Sequence, residues 1–210
     1  MIDYSVYLVT DKFQFSESEF LEIIEEALKG KTTIVQLREK ESDTLEFYNL
    51  AVKVKEITDK YDVPLIINDR IDIALAVDCA GVHLGQSDMP CKVARDILGE
   101  DKIIGISATT YDEAVQAQCD GADYLGVGAI YPTDTKSDAG VSTHEDLMKI
   151  AEEITIPTVA IGGVKEDNTK ELIEKYDFDG VAVVSAIMLS DNPRETSENF
   201  SKIMKELMER

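Results

Sequence analysis

A chain of 210 residues can bury one sizeable core and is short for two independent domains. Hydrophobic residues at 44% and charged ones at 30% are ordinary for a globular protein, and no apolar run nears the roughly 18 residues a membrane span needs. The net charge of −21 argues against a nucleic-acid partner, and it repels anionic substrates at long range, so any phosphate site must draw on local cations and backbone amides.

The first strand is expected over Tyr4–Val9, a β-branched and aromatic run. The residues on either side of it carry neither a basic leader nor a small-residue cleavage site, so no signal peptide is read. Ser16–Lys29 places Phe20, Ile23, Ile24, Ala27 and Leu28 at helical spacing, with Gly30 as its stop. Thr32–Leu37 reads as a second strand, followed by a long helix that Asp43 would cap and that runs to about Tyr61. Pro64–Ile67 and Gly81–Leu84 are strands three and four, separated by a short helix over Ile71–Val77. A helix from about Pro90 to Leu98, a strand over Lys102–Ile106, a helix over Tyr111–Cys119 and a strand over Asp123–Val127 come next. The loop Gly128–Gly140 is rich in turn residues and hydroxyls, the composition of a lid. It leads to a helix at Thr143–Ile154, a strand at Pro157–Ile161, a helix at Lys165–Tyr176, a strand at Gly180–Val184 and a last helix at Asn192–Met208.

The strands are nearly continuous apolar runs, as expected where both faces are buried. Eight strand–helix units, about 26 residues each when 210 residues are divided by eight, predict a single (β/α)8 barrel spanning residues 1–210. An open flavodoxin-like sheet is the alternative. Three cysteines, Cys79, Cys91 and Cys119, show no metal-type spacing and read as reduced thiols, which points to the cytosol.

In such a barrel the residues just past the strands gather at one mouth. Asp69 and Asp88, 19 positions apart, each stand just past a strand and would face one another there. Paired carboxylate oxygens suit a hard cation such as Mg2+, although Asp at a strand-to-helix turn is also an ordinary helix cap. Gln36, Arg38, Lys40, Asn68, Gln86 and Ser107 stand at the same mouth, with Thr133, Thr135 and Lys136 in the long loop. If the second strand continues, alternation would point Gln36, Arg38 and Lys40 the same way. Gly162-Gly163 and Val184-Ser185 fit the barrel phosphate site built by the last two loops. Cations, hydroxyls, two carboxylates and glycines together describe a site for phosphate-bearing ligands. His83 reads as a satisfied core or pocket-edge residue and His144 as an ordinary start of a helix.

The blocks VQLREK (Val35–Lys40), IINDRIDIALAVDCAGVHLGQSDMP (Ile66–Pro90), GISA (Gly105–Ala108), YLGVGAIYPTDTK (Tyr124–Lys136), AIGGV (Ala160–Val164) and VAVVSAI (Val181–Ile187) resemble the thiamine-phosphate synthase family, in order and over nearly the whole chain. The resemblance implies a (β/α)8 barrel that transfers an alkyl group. Its substrates would be 4-amino-2-methyl-5-(hydroxymethyl)pyrimidine diphosphate and 4-methyl-5-(2-phosphooxyethyl)thiazole. The C–O bond would break to leave a pyrimidine-stabilised carbocation, which the thiazole nitrogen captures. Carried over residue by residue, Asp69 and Asp88 would ligate Mg2+. Arg38, Lys40, Asn68, Ser107 and Lys136 would bind diphosphate, with Gln36 near the pyrimidine. Thr133, Thr135, Gly163 and the Val184 and Ser185 amides would hold the thiazole phosphate.

The chain departs from the family's common pattern at Ala129, where Pro is usual, at Tyr131, where Phe is usual, and at Ala108-Thr109-Thr110, where many members carry His. Two other readings compete. A thiazole tautomerase-like barrel would have an eroded diphosphate set and a His near the fifth loop, which this chain lacks; a non-catalytic barrel sensing phosphorylated metabolites would have no need of both carboxylates and the loop lysine. The expected partners are the two phosphorylated substrates and, in a homo-oligomer, further copies of the chain.

Overall fold

The computed structural model describes residues 2–132 and 140–209. Eight parallel strands close into a barrel in sequence order: β1 Val6–Val9, β2 Ile34–Leu37, β3 Leu65–Asn68, β4 Gly81–Leu84, β5 Ile103–Ala108, β6 Tyr124–Val127, β7 Thr158–Ile161 and β8 Gly180–Val183. The ring is sealed by β1 pairing with β8, Val6 opposite Val181 and Leu8 opposite Val183. The closed (β/α)8 barrel replaces the open-sheet alternative.

Alternation along the strands explains the runs that are apolar on both faces. Val6, Leu8, Val35, Leu37, Leu65 and Ile67 point outwards and join one large core with the helices. Tyr7, Val9, Ile34, Ile66, Tyr124, Val159 and Ala182 point inwards and form a separate cluster filling the barrel. The helices are α1 Glu17–Lys29, α2 Thr44–Lys60, α3 Ile71–Val77, α4 Cys91–Leu98, α5 Tyr111–Cys119, α6 His144–Glu153, α7 Glu166–Tyr176, the short α8 Ser185–Met188 and α9 Pro193–Met208.

Local sequence signals account for most helix starts. Ser16 and Glu19 form a reciprocal capping box on α1, as Thr110 and Glu113 do on α5, and Asp43 caps α2 by accepting from the Glu46 amide. Gly30 ends α1 for another reason than the sequence suggests. Its φ is −80°, outside the left-handed region, and an added Cβ would lie 2.2 Å from the Arg194 carbonyl oxygen and 2.7 Å from Ser197 Cβ. Glycine is needed there because α9 packs against α1.

Among the described residues no helix is long and apolar enough to cross a membrane. The three cysteines are free thiols, two of them buried. Burial pushes the Cys91 thiol up to about 11 and raises that of Cys79, so both stay protonated at neutral pH.

Candidate active site

At the C-terminal end of the strands lies a cavity of about 610 Å3. Its wall includes Gln36, Arg38, Lys40, Asn68, Asp69, Asp88 and Ser107 on one side and Gly162, Gly163, Val184 and Ser185 on the other. Every described residue assigned to the site from the sequence therefore lines one space. Thr133, Thr135 and Lys136 lie outside the described residues. A smaller cavity of about 250 Å3, lined by Tyr131, His144, Glu171 and Lys175, holds none of the expected site residues.

Asp69 directly follows β3 with φ +62°, a left-handed conformation that Asp tolerates better than most residues. Its amide donates to the His83 carbonyl at 2.9 Å, tying the strand end to β4. This geometry takes Asp69 out of a capping role, because the N-cap of α3 is Arg70 and no side chain caps it. Asp88 is no cap either. The N-cap of α4 is Pro90, and Asp88 Oδ2 instead accepts from the Gly85 amide at 2.7 Å, folding the Gly85–Asp88 turn on itself. The cap reading of both carboxylates is thus overturned, and both line the cavity mouth.

Burial raises the Asp88 carboxyl above the ordinary carboxylate range; the Gly85 hydrogen bond works the other way, and the Asp69 carboxylate beside it adds to the rise. Lys40 Nζ approaches Asp69 Oδ2 at 2.5 Å and relieves part of this crowding. Asp69 thus pairs with Lys40, Asp88 accepts from the Gly85 amide, and the two carboxyls lie against one another. Among the described residues no group of three or more His, Cys, Asp or Glu gathers to hold a metal. Two adjacent carboxylates still fit Mg2+, which fills its shell with water and substrate phosphate oxygens.

A carboxyl that is harder to ionise in the fold than in the unfolded chain lends stability at low pH. That stability is lost as pH rises through the raised folded value. At neutral pH without metal, Asp88→Asn should therefore raise the melting temperature, since the amide oxygen can still accept from Gly85. Thermal unfolding in EDTA checks this, and a lowered melting temperature would contradict it.

Arg38 and Lys40 do not continue β2, which stops at Leu37, so they do not share one strand face with Gln36. Arg38 Nη1 bonds Asp11 Oδ2 at 2.8 Å, and the Arg38 amide donates to Thr10 Oγ1 at 3.1 Å. Asp11 thus positions the guanidinium, a role absent from the sequence reading although Asp11 also stands just past a strand. Ser107 belongs to β5 rather than to the loop beyond it. That strand runs two residues further than expected because Ser107 pairs with Gly126 and Ala108 with Val127. Lys165, two residues beyond Gly163, also lines the cavity, and no motif in the sequence singles it out.

The opposite wall depends on backbone that only glycine supplies comfortably. Gly162 and Gly163 have φ of +97° and +68°, and a Cβ on Gly163 would lie 2.7 Å from Tyr131 Cβ. Val184 N-caps α8, and this first turn faces the same cavity as the two glycines.

The arrangement can hold two anionic groups at opposite sides of one cavity: one against cations and a carboxylate pair, the other against glycine backbone and the start of α8. The chain is similar to known proteins over nearly its whole length. The profile of the thiamine monophosphate synthase family matches residues 6–187. A thiamine-phosphate synthase of Methanobrevibacter smithii is 57% identical over 204 residues, covering 97% of each chain. One from Alkaliphilus oremlandii is 52% identical over 204 residues, again covering 97% of each. The solved thiamine phosphate pyrophosphorylase of Pyrococcus furiosus superimposes with a TM-score of 0.90 at 40% identity, covering 99% of this chain and 98% of that one.

Proposed function

The chain belongs to the thiamine monophosphate synthase family and is an enzyme, and from that premise we propose that it joins 4-amino-2-methyl-5-(hydroxymethyl)pyrimidine diphosphate to 4-methyl-5-(2-phosphooxyethyl)thiazole. The bond from the pyrimidine methylene carbon to the diphosphate oxygen breaks, and its electron pair leaves with diphosphate. The resulting carbocation is captured by the thiazole nitrogen, which forms the new C–N bond of thiamine phosphate. The observation that carries the reading is the carboxylate pair, Asp69 and Asp88, neither of them a helix cap and both at a mouth that also holds Arg38 and Lys40.

In this reading Asp69 and Asp88 would hold Mg2+, which would offset charge on the departing diphosphate when bound. Arg38, Lys40 and Lys136 contribute positive charge to the same leaving group, and Asn68 and Ser107 add polar contacts. Gln36 faces the pyrimidine. Thr133, Thr135, the Gly163 backbone and the Val184 and Ser185 amides take the thiazole phosphate, bringing the thiazole nitrogen to the opposite side of the cavity from the leaving group. No protein base is required, because the nucleophile is a ring nitrogen lone pair. Positioning and charge stabilisation carry the rate. The tautomerase and sensor readings gain no support from a site in which every described diphosphate residue is present.

The test is thiamine phosphate formation from the two substrates with Mg2+ and with EDTA. Metal-dependent product is expected. Absence of product under both conditions would overturn the assignment.

A further inference from the structure

A line of buried polar side chains crosses the barrel interior beneath the cavity. Gln36 Nε2 donates to Tyr7 Oη at 2.9 Å, and the Tyr7 and Tyr124 hydroxyls lie 2.6 Å apart. Tyr124 Oη lies 2.9 Å from His83 Nδ1, and His83 Nε2 lies 2.9 Å from Ser107 Oγ. Both tyrosines are essentially inaccessible, while Gln36 and Ser107, the two ends, line the cavity. Space for the rings is supplied by two glycines on neighbouring strands. A Cβ on Gly105 would lie 2.1 Å from Tyr124 Cζ, and one on Gly126 would lie 2.9 Å from His83 Cε1.

Hydrogen-bond bookkeeping along this line allows few choices. A hydroxyl has one proton to give, and burial raises both tyrosines well above the ordinary phenol value, so both keep theirs. With the Gln36 amide donating to Tyr7, the Tyr7 proton goes to Tyr124. The Tyr124 proton then goes to His83 Nδ1, which must be the unprotonated nitrogen. The imidazole proton sits on Nε2 and is given to Ser107 Oγ, so the Ser107 hydroxyl proton is left to point into the cavity. At the other end Gln36 commits one N–H of its amide to Tyr7, which turns the nitrogen inwards and leaves the carbonyl oxygen to accept from the cavity.

We propose that Tyr7, Tyr124 and His83 are positioning residues forming a one-directional hydrogen-bond chain, which fixes Gln36 as an acceptor and Ser107 as a donor at the two ends of the same ligand. The ligand chemistry is then an amino-substituted ring at Gln36 and an anionic oxygen at Ser107. This rests on the proposed function, of which it explains the orientation of one substrate, an aminopyrimidine bearing a diphosphate. A reversed chain would present the amide N–H of Gln36 to the amino group and the lone pair of Ser107 to the anion, both repulsive.

The chain has only two histidines, so long-range 1H–15N spectra of the histidine-labelled, substrate-free protein give two imidazole patterns, and a His144→Gln variant identifies the one from His83. The expected pattern at neutral pH is the neutral Nε2–H tautomer of His83. The Nδ1–H tautomer, or an imidazolium, would overturn the proposal. In Tyr124→Phe the donor to Nδ1 is gone, and the tautomer preference should weaken. The turnover number should fall about tenfold, the worth of one neutral hydrogen bond, while KM for the thiazole phosphate should hold within about twofold. An unchanged tautomer pattern in that variant overturns the proposal whatever the rate does. Should the variant fail to fold, the wild-type pattern decides alone, and it does so independently of whether thiamine phosphate is the product.

Discussion

Asp69→Ala and Asp88→Ala should each lower turnover by at least about a hundredfold, since a bound divalent cation contributes several kcal/mol of charge stabilisation and each 1.36 kcal/mol is a factor of ten. Binding of the thiazole phosphate, measured by calorimetry without the pyrimidine substrate, should change by less than about twofold in both variants. The reason is spatial: Gly163, Val184 and Ser185 form the other wall of the cavity. Asp69 needs a control, because its φ of +62° makes alanine strained there. Asp69→Asn tolerates that backbone and removes only the charge. If Asp69→Asn turns over like wild type, the carboxylate has no role in the metal site. If thiazole phosphate binding collapses together with turnover, the division of the cavity into two anion sites is wrong.

The largest stability effect is expected deep in the barrel, at Gly105→Ala. The new methyl would lie 2.1 Å from Tyr124 Cζ and 2.3 Å from both Cε1 and Oη, against a ring with no exposure. Overpacking of this kind costs about 1–3 kcal/mol and sometimes more. At roughly 2–4 °C per kcal/mol for a chain of this size, the melting temperature should fall by about 2–12 °C. Pairing it with Tyr124→Leu, which removes the colliding atoms, should recover part of the loss. A double-mutant cycle in thermal unfolding should then show coupling; strict additivity would mean that the ring is not what Gly105 accommodates.

Legibility in the sequence tracks the range of the interactions. Helices α3 and α5 and strand β4 have the expected limits, because caps, turns and apolar runs are local signals. Strand-end positions lead to Arg38, Lys40, Asp69, Asp88 and the glycines of the last loops, since a barrel collects its post-strand residues at one mouth. The contacts that set their roles are long-range and leave no local trace. Tyr7 and Tyr124 are 117 positions apart and read separately as strand aromatics. Arg38 reaches back 27 positions to Asp11. Strand β5 reads short in the sequence because Ser107 ends its apolar run, whereas pairing with β6 decides its length. The glycine at the end of α1 reads as a turn residue, whereas its purpose is contact with α9.

The two glycines that make room for the interior rings also restrict how this barrel can change over generations. Gly105 has no freedom while Tyr124 stays, and Gly126 little while His83 stays. Enlarging either glycine first meets a ring, and shrinking either ring first leaves a void and breaks the hydroxyl line. Each single step is therefore disfavoured where the paired step can be neutral, so lineages should carry these positions as linked pairs. A laboratory search for new pocket specificity should randomise Gly105 with Tyr124, and Gly126 with His83, rather than one site at a time.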